Sequence, residues 1–232
     1  MWPCQCSCIY QHSAKERRLH RVVLYHGGQT NDVCKRPDCM PENMLSRRYF
    51  SAGYGGREMK EKFIKIYKEN IHRQGAERLL AWLEKSDFFV APASTKYHGA
   101  HEGGLLKHSL NVYEQIKWED AETHAIVSLL HDLCKVNYYV HEMRNVKENG
   151  VWIQKPYYTV KDDFPYGHGE KSVFMIERFM RLTNEEAFAI RFHMGDYNDP
   201  NTSRAFEKYP LALLLHQADE RATYLMEARN GS

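Results

Sequence analysis

The sequence predicts an all-α fold, a helical bundle interrupted by one β-hairpin at about residues 137–160. Three observations favour this architecture. Apolar residues recur at helical spacing in several segments from Met59 onward. Histidines and aspartates are spaced along these segments so that a bundle could bring them together. An Asn149-Gly150 pair separates two alternating runs, which is the strongest short-range signal for a hairpin.

Size and composition are typical of a globular protein with one domain, since the chain has 232 residues, of which 43% are hydrophobic and 27% charged. The formal net charge is +2 and no long Lys/Arg run is present, so nothing indicates a protein that coats polyanions. No apolar stretch approaches the roughly 20 residues that span a bilayer. The N-terminus lacks the apolar core of a signal peptide. We therefore expect a cytoplasmic protein that does not associate with membranes.

Residues 1–58 differ from the rest because they show no helical or strand periodicity. We predict a disordered or wrongly assigned N-terminal extension here, followed by a domain at 59–232. Five of the six cysteines lie before residue 40, but a zinc knuckle would need a folded element between its ligand pairs. Residues 55–58 can be encoded as a purine-rich ribosome-binding sequence, so Met59 is a candidate native start. A genuine disordered leader is the alternative.

Four helices are predicted before the hairpin. The first carries Phe63, Ile64, Tyr67 and Ile71, and the second spans about residues 75–83. After a loop at 91–104, the third begins near Leu105 and runs through Ile116, and the fourth covers about Ala121 to Cys134. Each has its apolar residues on one side, as expected for helices that share a core.

The hairpin strands are predicted at 137–146 and 151–160, and three helices follow at about 170–182, 184–194 and 210–228. Pro210 suits a first helical turn, where its missing N–H costs nothing. Loops on a rigid scaffold often carry specificity, so the hairpin is a candidate lid that selects the substrate. The alternative is a strut that covers the edge of the domain.

Six side chains with metal-ligand chemistry lie in or beside the predicted helices, namely His108, His131, Asp132, His168, His193 and Asp219. Adjacent His131 and Asp132 point about 100° apart on a helix. They can still hold one ion, because their side chains differ in length. Imidazole and carboxylate together suit Mn, Fe, Ni or Zn, and Mg²⁺ also fits the carboxylates. Six ligands exceed what one ion with open positions needs, which favours two neighbouring ions.

Three motifs resemble the HD superfamily of metal-dependent phosphohydrolases. They are Gly103-Gly104-Leu105-Leu106-Lys107-His108-Ser109, Leu129-Leu130-His131-Asp132-Leu133-Cys134-Lys135 and Leu215-His216-Gln217-Ala218-Asp219. The resemblance covers roughly residues 91–228 and implies an HD-type phosphohydrolase domain at 59–232. It places the H…HD…D ligand set of the family on His108, His131-Asp132 and Asp219.

Two subgroups of the superfamily share further features with the chain. The stretch from Ala91 to Gly104 is similar to the HD domain of bacterial 3′→5′ exoribonucleases, although His98-Gly99 stands where those proteins have a His-His pair. His168 and His193 match the extra ligands of two-metal HD proteins, including cyclic-dinucleotide phosphodiesterases. The Gly-Tyr-Pro motif of those phosphodiesterases is absent from the sequence.

The resemblance and the residue chemistry together predict individual roles. Asp132 can bridge two ions or orient a metal-activated hydroxide. Lys135 can bind substrate oxygens and neutralise transition-state charge, or it is a solvated cation at a helix end. His98 is predicted to contact the substrate. Arg191 is either a second phosphate clamp or an ordinary surface arginine.

We therefore expect an enzyme that uses a metal-activated water to hydrolyse a phosphomonoester or phosphodiester in a nucleotide or short nucleic acid. The alternative is a catalytically idle HD module that acts as a nucleotide sensor or as an accessory subunit. The chain could also form a homo-oligomer.

Overall fold

Helices occupy most of the described chain. The computed structural model describes residues 42–196 and 198–227, with side chains from residue 55 onward. The helices are α1 (Glu42–Asn70), α2 (Ala76–Lys85), α3 (Gly104–Gln115), α4 (Ala121–Leu130), α5 (His168–Glu177), α6 (Asn184–Phe192), α7 (Pro200–Lys208) and α8 (Pro210–Arg221). Strands β1 (Tyr139–Glu148) and β2 (Val151–Val160) lie between α4 and α5. The all-α fold with an inserted hairpin is confirmed.

Contacts divide the chain into two units, Met1–Gly53 and Tyr54–Ser232, and the packing described below is that of the second. Helix α1 begins at Glu42, which corrects the expectation that helical structure starts near Met59. The intervening segment contains helix formers such as Met44, Leu45 and Arg47, but three glycines near its end weaken the helical signal in the sequence. The five early cysteines lie outside the described residues. The extension at 1–58 and the start at Met59 stay predictions.

Helix α4 forms the centre of the bundle. Its residues 125–130 are all buried, as expected for a helix that is apolar on every side. It packs against α3 and α6, and α8 packs against α3, α6 and α7. Asp120 caps its first turn by accepting a hydrogen bond from the Thr123 N–H at 2.6 Å. The residues that directly follow the C-terminus of α4 therefore lie inside the core.

The end of α4 differs from the expectation. The predicted helix ran to Cys134, but α4 ends at Leu130 and a separate 3₁₀ turn covers Leu133–Lys135. Between them, Asp132 leaves helical geometry with φ −99° and ψ 23°. The ring of His131 contributes to this break, because its Nδ1 lies 2.9 Å from the Ser128 carbonyl, one of the acceptors left free at a helix end.

The hairpin has the predicted turn. Tyr139 pairs with Val160 and Glu148 pairs with Val151 in an antiparallel register. Asn149 and Gly150 both have positive φ (51° and 84°), as a two-residue type I′ turn requires. Residues 141–145 and 154–156 are exposed, so this middle part does not cover the helical body as a strut would.

Helix α7 was missed in the sequence analysis, although Asp199-Pro200 is a helix-start pattern. The Asp199 side chain accepts from the Asn201 N–H at 2.8 Å, and Pro200 occupies the first turn. Beyond α8 the chain continues as a π-helical turn, Ala222–Glu227. Across residues 42–196 and 198–227, no helix has the length and apolarity to cross a membrane.

Candidate metal centre

The centre is built on the His131-Asp132 pair that follows α4. Both residues are buried, with His131 0% and Asp132 2% exposed. The contact between His131 Nδ1 and the Ser128 carbonyl leaves Nε2 as the free ring nitrogen, and Nε2 lies 3.2 Å from the Nε2 of His108. Two ring nitrogens at that separation are spaced as ligands of one ion would be.

Helices α3 and α8 complete this side of the centre. His108 belongs to α3 and is buried, and its Nε2 lies 3.1 Å from Asp219 Oδ1 on α8. The same nitrogen is 3.6 Å from Asp132 Oδ2, and so is Nε2 of His131. The four residues of the H…HD…D set therefore meet in one place.

Two further histidines approach the other oxygen of Asp132. His168 is the first residue of α5, and its Nε2 lies 2.8 Å from Asp132 Oδ1. His193 follows the last turn of α6, with Nδ1 2.6 Å from the Ile190 carbonyl and Nε2 3.6 Å from Asp132 Oδ1. Four predicted ligands thus surround the fifth, Asp132, with one pair of histidines at each carboxylate oxygen, and the sixth, Asp219, contacts His108. We name these six residues the His–Asp cluster.

The charges of the His–Asp cluster are strongly perturbed. Burial lowers the pKa of His131 to about 3. Burial also opposes protonation of His108, but hydrogen bonds to Asp219 and Glu227 outweigh it and raise the pKa of His108 to about 10. Burial opposes ionisation of Asp132, but the charge of Lys135 holds its pKa well below the usual range. Ionised carboxylates and a neutral His131 are the forms that a metal ion binds.

The donor set fits a divalent transition metal. Nε2 of His193 is fully buried and has no hydrogen-bond partner among the described residues. An orphaned buried nitrogen is costly unless a ligand satisfies it. Several overlapping trios of the cluster have ligand atoms within 4.8 Å of one another, including His108, His131 and Asp219 on one side and His131, Asp132 and His193 on the other.

A cavity of about 930 Å³ opens onto the cluster. His168, His193 and Asp219 line it directly, whereas His108, His131 and Asp132 lie behind its wall. Lys135 also lines it, and its Nζ is 2.6 Å from Asp132 Oδ2. The Lys135 side chain is only 12% exposed, so it is not a solvated cation at a helix end.

His98 reaches the same cavity from the loop before α3. Its ring centroid lies 5.2 Å from that of His108. The loop is tied down where Ser94 Oγ donates to the His98 carbonyl at 2.6 Å. Gly104 permits a close crossing, because a Cβ there would collide with the Gly99 carbonyl. The structure thus brings His98 beside His108 at the cavity, and its contact with a substrate stays a prediction.

Arg191 is not brought to this cavity. Its guanidinium contacts Glu170 at 2.7 Å and Asp199 at 3.2 Å, on a different surface of the protein. Glycine at 169 allows α5 to approach closely, because a Cβ there would collide with the backbone of Arg191. Two carboxylates already pair with this arginine, so the geometry gives no support for a phosphate clamp at Arg191.

Two buried residues at the centre were missed in the sequence analysis. Cys134 Sγ lies 3.3 Å from Nδ1 of His168, and burial raises the pKa of the thiol to about 12. Glu227 Oε1 lies 3.0 Å from Nδ1 of His108. The place of Cys134 beside the HD pair was a signal that could have found it. Glu227 gave none, because its position depends on the π-helical turn.

Comparison with known proteins adds no relative. No family model matches the chain, and no curated protein or solved structure is significantly similar to it. The helical domain with its buried cluster of histidines and aspartates is compatible with an HD domain.

Proposed function

We propose that the chain is an HD-type metal-dependent phosphohydrolase that acts on a nucleotide or a short nucleic acid. The observation that carries the proposal is the pairing at Asp132, where His108 and His131 approach Oδ2 while His168 and His193 approach Oδ1. Such a carboxylate would be able to hold two ions, each together with one pair of histidines. Two-metal sites of this kind recur in phosphatases and nucleases.

The chemistry divides between the ions and the chain. Bound divalent ions would polarise a phosphoryl oxygen and lower the pKa of a bound water. Lys135 lies at the cavity wall beside Asp132, where its ammonium can bind an oxygen of the phosphoryl group as negative charge develops. His98 lines the cavity beside His108, where its ring can donate a hydrogen bond to the substrate.

The cavity supports the substrate class. Its volume of about 930 Å³ lies within the range for small-molecule sites. Lys96 and Lys107 add positive charge to the lining, which suits phosphate. Tyr97 and Tyr224 line it and are 77% and 67% exposed, so their rings are free to stack on a planar base.

The donor atoms limit which metal ions the site would bind. Imidazole with carboxylate suits Mn, Fe, Ni or Zn, while Mg²⁺ would have to rely mainly on the carboxylates. A sensor or accessory module would bind nucleotide without turnover, and it would not need both pairs of histidines around Asp132.

The test is hydrolysis by metal-depleted protein reloaded with each ion in turn. Nucleoside mono- to triphosphates, cyclic dinucleotides and short oligonucleotides would be the substrates. We expect turnover with at least one ion and loss of turnover in His131→Ala and Asp132→Ala. Glu207→Gln, an exposed change on α7, is the matched control and should remain active. Tight nucleotide binding without hydrolysis under any metal would contradict the enzyme and favour the sensor.

A further inference from the structure

The π-helical turn after α8 places one glutamate against the candidate ligand His108, at the wall of the cavity. Glu227 lies eight residues after Asp219. In a continuous α-helix these two side chains would point about 80° apart. The wider turn of Ala222–Glu227 reduces that angle, and both residues contact His108. Insertions of this kind are often found at functional sites.

Glu227 and Asp219 hold the two ring nitrogens of His108 separately. Asp219 Oδ1 is 3.1 Å from Nε2, and Glu227 Oε1 is 3.0 Å from Nδ1. Asn111, one turn beyond His108 on α3, donates to the same Glu227 oxygen at 2.9 Å. The glutamate side chain is only 3% exposed. The contact therefore joins α3 to the π-helical turn within the protein interior.

We propose that Glu227 is a positioning residue, which holds the His108 ring so that Nε2 faces the ion. This inference rests on the metal centre proposed above. An ionised carboxylate can only accept hydrogen bonds, so it requires a proton on Nδ1. In neutral His108 the lone pair then lies on Nε2, on the side of Asp219 and His131. Carboxylates that accept from the outer nitrogen of a ligating histidine fix its tautomer and increase its basicity.

A purely structural role explains the glutamate less well. Its Oε2 is buried and has no hydrogen-bond partner among the described residues. A buried carboxylate with an unsatisfied oxygen costs stability, and a neutral side chain of similar volume would avoid that cost. The negative charge of Glu227 is therefore better explained by its contact with His108 than by packing.

A direct ligand role is the competing explanation. Ligand atoms of His98, His108 and Glu227 lie within 4.8 Å of one another, so the three could hold an ion themselves. In that arrangement Nδ1 of His108 would bind the ion. Nε2 of the same ring would then no longer be available to an ion held with Asp219. The two explanations therefore differ in the number of ions per chain when Glu227 is replaced.

The experiment measures metal affinity, ion count and the tautomer of His108 in the full chain. Metal-depleted protein would be titrated with Zn²⁺ by calorimetry, and ¹⁵N NMR of the Zn²⁺-loaded protein would report which ring nitrogen carries the proton. Glu227→Gln keeps the volume and one acceptor oxygen but removes the charge. Glu227→Ala removes both, and Glu207→Gln is the exposed control.

We expect Glu227→Ala to weaken Zn²⁺ binding about 10- to 100-fold and Glu227→Gln to weaken it less, with the number of ions unchanged. The Nδ1 proton signal of His108 should weaken in the alanine variant. Unchanged affinity in Glu227→Ala, or loss of one ion per chain, would overturn the positioning role alone. Failure of the unaltered protein to bind metal would overturn the metal centre and this role together.

Discussion

Two polar clusters, each around a buried carboxylate, lie in the same bundle and differ in how completely they are satisfied. In the arginine network (Arg73, Glu122, Thr123 and Glu186), Arg73 contacts both oxygens of Glu186 at 2.7 and 2.9 Å. Thr123 Oγ1 donates to Glu186 at 2.8 Å, and the Thr183 N–H donates to it at 2.8 Å. The fully buried Glu186 thus has a partner for each oxygen.

The His–Asp cluster lacks this completeness. It holds four histidines and two carboxylates around one point, and Nε2 of His193 is left without a partner among the described residues. Three of its members line the cavity together with His98 and Lys135, whereas Arg73 lines a separate pocket. A polar cluster that satisfies itself stabilises a fold, whereas one that needs an additional ligand marks a site.

The sharpest way to separate the two clusters is to remove the cation of each. In the metal-loaded protein, Lys135→Met should keep fold and metal, since a protonated lysine is not a ligand, the methionine stem still packs and bound ions would offset the charge of Asp132. Turnover should fall about 100- to 1000-fold, because a charge that stabilises the transition state is lost. Lys135→Arg should recover only part of the lost turnover, because a planar guanidinium differs in shape from a compact ammonium. Unchanged kcat/KM in the methionine variant would remove Lys135 from the catalytic residues.

In the arginine network, Arg73→Met should act on stability instead. It leaves the carboxylate of Glu186 buried without its cation, which should cost about 3 kcal/mol in the free energy of unfolding. Lys62→Met is the matched control, because the Lys62–Glu114 pair is about half exposed and should cost less than about 1 kcal/mol. Denaturant unfolding measures both. If Arg73→Met loses metal while its stability is unchanged, the distinction between the clusters fails.

A smaller effect concerns pH in the metal-free protein. The pKa of His108 is raised to about 10. Protonated His108 therefore contributes fully to the free energy of unfolding below pH 6.5, and this contribution is lost as pH rises towards 10. The pKa of His131 is lowered to about 3, so keeping it neutral costs stability as pH falls from 6.5. On each side of pH 6.5, the titration of one proton should change the free energy of unfolding by about 1 kcal/mol per pH unit.

Thermal unfolding across pH 4–9 would therefore show a maximum near pH 6.5 for metal-free protein. Bound metal should remove the loss of stability above pH 6.5 (the alkaline limb), because an ion would replace the proton on His108 Nε2. His108→Gln, measured without metal, should remove the same limb. A flat profile from pH 6.5 to 9 in metal-free protein would show that His108 is not held protonated by Asp219 and Glu227.

Much of the fold, and the residues that form the His–Asp cluster, could be predicted because local patterns determine them. The apolar run of α4 ends at His131-Asp132, and the Asn149-Gly150 turn determines the hairpin register. The break after Leu130 could not be predicted from periodicity, since it depends on the side chain of His131 competing for a backbone carbonyl. Glu227 was missed for a similar reason. A π-helical turn changes which residues share a face, and no spacing in the sequence reveals it.

Metal content per chain tests the central claim most directly. Protein loaded with Mn²⁺, Fe²⁺, Ni²⁺ or Zn²⁺ and freed of excess ion would be assayed by elemental analysis, with Glu207→Gln as control. We expect two ions in the unaltered chain and in the control. His193→Ala should keep about one, and Asp132→Ala should lose both because its carboxylate serves both histidine pairs. An unaltered chain that retains none of these ions, or an Asp132→Ala chain that retains as many, would contradict a metal centre at the His–Asp cluster.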